Sequence, residues 1–264
     1  RLIEKVESLK SYRSQNNSFN KLLQFQIHEY IQEKEILKSI NRIGSIKEKI
    51  SKDVALQYEE NPYPRWRYDY LYKNNPLTIK NVITNDLRNN QIRIIKESNN
   101  PNILIAGCGT GKNIMQALRY KNSKITAIDL SKASLSYCKR KLDEYKIENV
   151  NLIQMDILEL KELKQRFDLI ECIGVLHHMK NPLDGLDCII ESVKSNGLIK
   201  LGLYSEIARQ SIVKIREYIE SNKLSSKDKD IRFFRELVKS NKIPNISNIL
   251  NSKDFYSISS CRDL

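Results

Sequence analysis

The 264-residue sequence predicts an α/β fold: a doubly wound parallel sheet with helices on both faces, preceded by a helical N-terminal extension and followed by a helical C-terminal part in which the sheet stops short. Three observations predict it. Between residues 99 and 204 short apolar runs and helical patterns alternate five times, as parallel strands joined by crossover helices require. Three of the chain's eight glycines, Gly107, Gly109 and Gly111, fall within five residues just after the first apolar run. The second and third runs each end on an acid, Asp129 and Asp156.

Residues 1–57 read as helices. Phe19, Leu22, Leu23, Ile27, Tyr30, Ile31, Leu37 and Ile40 recur at steps of three and four, with Glu33, Lys34 and Lys38 expected on the other face. That stripe seeks a partner, either the main domain or further helices upstream. A third helix is expected from about Ile46 to Leu56. In Asn61-Pro62-Tyr63-Pro64-Arg65-Trp66 the prolines remove donors and force extended geometry. This segment is either a rigid linker or a cover over the glycines, with Tyr63 and Trp66 supplying apolar faces and Arg65 a fork for a carboxylate. A lead-in helix from about Thr78 to Glu97 reaches the first strand, Ile103 to Ala106.

At the glycines a parallel strand turns into the helical run from Ile114 to Leu118. Glycine there permits positive φ and lets a ligand approach the backbone. The second strand, Lys124 to Ile128, ends on Asp129, and Ser131 is an N-cap for a helix through Tyr145. An acid at the end of the strand beside the glycine loop is where a doubly wound sheet brings a carboxylate to a ribose diol; the alternative is an acid that serves the next helix. The third strand, Val150 to Met155, ends on Asp156 and Ile157, an acceptor and an apolar face for an aromatic base. Phe167 to Cys172 is the fourth strand. Asn181-Pro182 opens a helix, Ser195-Asn196-Gly197 ends it, and the fifth strand runs from Leu198 to Tyr204. Helices are expected from Glu206 to Glu220 and from Asp228 to Ser240, with no strand after Pro244.

Composition excludes some classes of protein. No apolar run approaches the roughly 20 residues of a membrane span, and no leader pattern opens the chain, so a soluble, cytoplasmic protein is expected. The five cysteines are scattered without a C-x-x-C pair, which fits reduced thiols and no metal site. Net charge is +13, but the excess is spread as +6, +3 and +4 over residues 1–98, 99–204 and 205–264. No dense basic run with interleaved aromatics forms a footprint for a polyanion, so nucleic acid is not expected as a partner. The first residue is Arg1, and a fragment of a longer protein is expected.

The loop spacing discriminates among ligands. A dinucleotide fingerprint needs a third glycine where Lys112 stands, and a P-loop needs glycine at Ala106 and a hydroxyl at Asn113. What remains is Gly107-Cys108-Gly109-Thr110-Gly111. With Ile128-Asp129-Leu130-Ser131, Met155-Asp156-Ile157, Phe167-Asp168-Leu169-Ile170 and Val175-Leu176-His177-His178, it resembles the class I S-adenosylmethionine-dependent methyltransferases. The longer run from Tyr58 to Trp66, with Leu203-Tyr204-Ser205-Glu206, is similar to a bacterial subgroup in which this domain follows tetratricopeptide repeats.

The resemblance implies a Rossmann-like core over 99–204 that binds S-adenosyl-L-methionine. It implies that Gly107, Cys108, Gly109 and Gly111 approach the methionine part, Asp129 and Leu130 the ribose, and Asp156 and Ile157 the adenine. Residues 1–57 would then be a helical extension, 58–98 the aromatic segment and lead-in helix, and 205–264 an incomplete helical part. Two departures stand out. The family usually carries an acid two residues before the first glycine, and Ile105 holds that place, so another carboxylate would have to anchor the donor's amino group. Glu171-Cys172-Ile173-Gly174 replaces the Asn/Asp-Pro-Pro-aromatic run of methylases that act on base amines, which argues against DNA.

Methyl transfer needs alignment more than side-chain chemistry. If the nucleophile must lose a proton, His177 and His178 are the candidate bases, the alternative being histidines that pack behind the loop. Glu171 either touches the donor or acts as base. The acceptor is expected to be a small molecule or a protein; a non-catalytic donor-binding scaffold and an RNA methyltransferase are the other readings.

Overall fold

The computed structural model describes residues 7–70, 75–87, 97–243, 247–256, 258 and 261. These form two compact units, Arg1–Leu201 and Gly202–Leu264. In the first, helix α1 (Asn17–Leu23) runs through a π turn (Gln24–His28) into α2 (Glu29–Ser39), followed by a two-residue strand β1 (Asn41–Arg42), α3 (Lys49–Glu60) and α4 (Ile79–Asp86). Then come β2 (Asn102–Ala106), α5 (Lys112–Ala117), β3 (Lys124–Asp129), α6 (Lys132–Glu144), β4 (Val150–Gln154), β5 (Phe167–Ile173), α7 (Pro182–Ser192) and β6 (Val193–Gly202).

The strands make one six-stranded sheet in the order β1-β4-β3-β2-β5-β6, with β1–β4, β4–β3, β3–β2 and β2–β5 paired in parallel. Alternate residues along each strand feed two cores. Ile103, Ile105, Ile125, Ala127 and Leu169 pack with Val82, Ile114, Met115, Leu135 and Tyr137 from one layer of helices. Leu104, Ala106, Ile128, Ile153 and Ile170 pack with Leu160, Leu176 and Ile189 from the other. Layers on both faces make the fold doubly wound, and they set the carboxyl ends of β2, β3, β4 and β5 side by side.

Several helix ends follow the caps the sequence offers. The hydroxyl of Ser131 accepts from Ser134 N–H at 3.0 Å, and Asn181 Oδ1 accepts from Leu183 N–H at 3.3 Å with Pro182 in the first turn. The third helix begins later than expected, at Lys49, because the Glu48 carboxylate takes Ser51 N–H at 3.0 Å. Residues 88–96 of the lead-in helix lie outside the described residues; the described part is α4.

Three differences have physical reasons. The fifth expected strand is β6, and it starts at Val193 with Ser195, Asn196 and Gly197 inside it. Gly197 does not stop a helix: a Cβ there would lie 2.9 Å from the carbonyl oxygen of Phe167, so glycine permits close approach to β5. Glu33 is buried, not on a solvent face, because it pairs with Arg65 and Arg140. The extension also supplies β1, whose register sets Asn41 beside Ile153 and Arg42 beside Gln154. Its two residues are polar and exposed, so no apolar pattern marks it.

The second unit holds α8 (Gln210–Ser221) and α9 (Asp228–Lys239), whose Ile212, Ile215, Phe234 and Val238 share a core with Ile243, Ile249 and Phe255. Among the described residues no strand follows β6, and no helix is long and apolar enough to cross a membrane.

Candidate functional site

The glycine loop folds the way it does because two carbonyls organise it. Gly107 N–H and Cys108 N–H both donate to the carbonyl oxygen of Ile128 at 2.9 Å, which ties the loop to the end of β3. Gly111 N–H closes the turn onto the Cys108 carbonyl at 2.9 Å. Gly107 has φ of 72° and Gly111 of 91°, the left-handed region that costs other residues about 1–2 kcal/mol. Space excludes a side chain as well: a Cβ on Gly107 would lie 2.4 Å from Val175 Cγ2, and one on Gly111 2.4 Å from Cys138 Sγ. The glycine run and the Val175–His178 run thus meet in space.

Asp129 is fastened to that loop. Its Oδ2 accepts from Gly109 N–H at 2.7 Å and its Oδ1 from Ser131 N–H at 2.9 Å. Desolvation pushes this half-buried carboxyl up to about 6, with the Glu59 charge adding, while the Ser131 and Gly109 amides pull the other way. Half-buried Leu130 follows, its carbonyl accepting from Gln154 Nε2 at 2.9 Å, which joins the turn after β3 to the end of β4. Asp156 is buried and caps a 3-10 helix, Ile157–Leu163, through Leu158 N–H at 3.1 Å. Ile157 is buried in the core with Ile153, Met155 and Leu160.

Glu171 sits in β5 directly beside Ile105 of β2, 2% exposed. Its Oε1 accepts from the Tyr120 hydroxyl at 2.6 Å and lies 3.8 Å from Lys200 Nζ. Burial and the Glu171 charge raise the Tyr120 phenol. The structure therefore puts a carboxylate in the strand next to Ile105, where the family's usual acid is missing. His177 and His178 lie in one turn of 3-10 helix after β5, half-buried, with ring centroids 4.3 Å apart.

Residues 61–66 lie against the loop. The carbonyl oxygen of Tyr63 is 3.3 Å from where a Gly109 Cβ would stand. Trp66 Nε1 donates to the carbonyl oxygen of Thr110 at 3.1 Å, and the Thr110 hydroxyl donates to the carbonyl oxygen of Pro64. The Arg65 guanidinium donates to both oxygens of Glu33 at 3.0–3.2 Å and covers the Tyr137 ring at 4.5 Å. A buried carboxylate needs a charged partner, and Glu33 finds Arg65 and Arg140.

Two contributors carry no local signal in the sequence. Glu33 falls among the polar residues of its helix, and Glu59 falls in the aromatic run from Tyr58 to Trp66. Glu59 takes Lys132 N–H at 2.5 Å and Ala133 N–H at 3.0 Å, contacts across 73 and 74 residues that no local pattern signals. Among the described residues no group of three His, Cys, Asp or Glu could hold a metal ion.

A doubly wound sheet whose first turn is a glycine loop, and whose next two turns carry Asp129 and Asp156, is the architecture of class I S-adenosylmethionine-dependent methyltransferases. The family described as Methyltransferase domain matches residues 97–255, and the chain belongs to it. Its relatives include an uncharacterized protein of Synechococcus sp. (32% identical over 121 residues, covering 45% of this chain and 29% of that protein). They also include the mitochondrial ubiquinone biosynthesis O-methyltransferase of Schizosaccharomyces pombe (28% identical over 120 residues, covering 44% and 43%). Among solved structures, PKMT2 from Rickettsia typhi is similar over 72% of this chain and 36% of its own, at 23% identity and a TM-score of 0.48. The chain spans under half the length of these curated relatives.

Proposed function

We propose that this chain binds S-adenosyl-L-methionine and transfers its methyl group to a small-molecule or protein acceptor. The observation that carries the reading is the tie between Asp129 Oδ2 and Gly109 N–H at 2.7 Å, which joins the acid and the glycine loop in one constellation. The residues fit the donor: the loop offers a glycine backbone without side chains at Gly107, Gly109 and Gly111, with the covering segment close enough that the Tyr63 carbonyl oxygen lies 3.3 Å from the Gly109 Cβ position, and Asp129 supplies an acceptor beside it.

In this reading Gly107, Cys108, Gly109 and Gly111 receive the methionine part, Asp129 and Leu130 the ribose, and Asp156 with Ile157 the adenine. Glu171 serves the ammonium, and Tyr63 or Arg65 the carboxylate. When bound, the donor supplies an electrophilic methyl on a sulfonium. The chain's own residues hold that group in line with the acceptor and exclude water, with residues 61–66 as cover. Where the acceptor atom carries a proton, His177 or His178 takes it. The relatives named as O- and N-methyltransferases support transfer to a heteroatom. Resemblance to the subgroup with upstream tetratricopeptide repeats supports an upstream helix packed on Phe19 and Leu22, which are exposed on α1. One observation favours a donor-binding scaffold instead, the apolar Ile105 beneath the loop, so turnover must be measured as well as binding.

Calorimetry with S-adenosylhomocysteine, NADH and ATP tests the reading: the first binds and the others do not. Asp129→Ala weakens that binding by about 1–3 kcal/mol. Mass spectrometry of cell fractions incubated with donor and protein then looks for a methylated product. Binding of NADH or ATP without S-adenosylhomocysteine overturns the proposal.

A further inference from the structure

Glu59 is the last-turn carboxylate of α3 and lies outside the matched region 97–255. Its two oxygens take the first two amides of α6, Lys132 N–H at 2.5 Å and Ala133 N–H at 3.0 Å. Ser131 already caps α6 through Ser134 N–H, so the helix start is served twice, once locally and once from a distant element. The distant contact closes a ring. From Glu59 it runs through the start of α6 to Ser131 N–H and Asp129, from Asp129 to Gly109, and past the Gly109 Cβ position to the carbonyl of Tyr63, four residues after Glu59.

Resting on the function proposed above, we propose that Glu59 is a positioning residue for the donor site, holding the turn that carries Asp129 in register with the glycine loop. It acts through two backbone amides and touches neither donor nor acceptor. It also acts through its charge. The titratable groups around Asp129 are Glu59 from α3, Cys108 from the glycine loop and Cys138 from α6. Burial raises both thiols and keeps them neutral, so Glu59 is the formal charge among these neighbours. A carboxylate beside Asp129 resists its ionisation, and the ionised form is the one that accepts from ribose hydroxyls.

The test uses Glu59→Gln and Glu59→Ala in the full chain, with calorimetry of S-adenosylhomocysteine from pH 5 to 8 and melting temperature alongside. The ligand's ammonium and carboxylate keep their charges over that range, so the titration reports the protein. The expected result at pH 7.5 is a Kd raised about 5- to 30-fold in Glu59→Ala and less in Glu59→Gln. The pH at which affinity is half lost moves lower in both, because Asp129 sheds its neighbour's charge. A helix cap alone would lower the melting temperature and leave both Kd and that midpoint where they are; this outcome overturns the proposal. So does failure of both variants to fold. If the unaltered protein does not bind S-adenosylhomocysteine, it is the functional reading that fails.

Discussion

The indole Nε1 of Trp66 donates to the carbonyl oxygen of Thr110 at 3.1 Å, which fastens the chain's one tryptophan to the middle of the glycine loop. The contact is held from both sides. The Tyr137 hydroxyl donates to the carbonyl of Trp66, and Lys141 Nζ lies 5.0 Å from the indole ring while donating to the Arg67 carbonyl at 2.7 Å. Residues 61–66 are therefore packed for stability and set against the loop at once; the alternatives of linker and cover do not exclude each other.

Trp66→Phe keeps most of the apolar area and removes the donor, leaving the Thr110 carbonyl short of a partner. We expect a loss of about 1–3 kcal/mol in urea unfolding. Trp66→Ala adds the lost packing, for about 3–5 kcal/mol. A Trp66→Phe protein with wild-type stability would mean that water replaces the indole there.

Arg65 bridges two helices through Glu33 and Tyr137, so Arg65→Ala should destabilise the ligand-free protein. The Arg65 side chain is 41% exposed, which limits the loss to about 1 kcal/mol. Weaker S-adenosylhomocysteine binding in the same variant is expected if Arg65 also meets the donor's carboxylate. Lost stability with unchanged affinity would confine Arg65 to the brace between α2 and α6.

How much of this could be read in advance depends on the range of the interaction. β2, β3, β4 and β5 are apolar runs ended by turn residues, and Ser131 and Asn181 are local caps, so each carries its own signal within a few residues. Gly197 is ambiguous because glycine serves equally at a helix end and beneath a close strand; only the Phe167 carbonyl decides between them. Glu33 and Arg140 are partners 107 residues apart, and each alone looks like an ordinary surface charge. The site was readable where one turn supplies it, and unreadable where Glu59 enters from another element.

Asp129 predicts a dependence on pH with two signs. Its carboxyl, pushed up to about 6, holds a proton in the folded chain that the unfolded chain has lost. Between about pH 4 and pH 6 its contribution to ligand-free stability therefore falls as pH rises. If the donor is held by the carboxylate, as proposed, its binding strengthens over the same interval. The rise in melting temperature caused by S-adenosylhomocysteine should thus be larger at pH 7.5 than at pH 5; an equal rise at both would remove Asp129 from the binding site.

Gly111→Ala should cost about 2–5 kcal/mol, from the left-handed backbone and from contact with buried Cys138. Adding Cys138→Ala relieves the contact and leaves the backbone cost. The double variant should then lose less than the two single losses combined. Simple additivity in urea unfolding would show that Cys138 moves aside freely.

The short strand β1 sets a schedule on synthesis. Arg42 has no partner until Gln154, about 110 residues later, has left the ribosome, a wait of about 5–20 s at common elongation rates. During that interval Ile40 and Ile43, which pack with the two finished cores, have no surface to cover them. A chaperone that holds apolar segments near residue 40 would therefore raise the yield of folded protein more than one acting after residue 154.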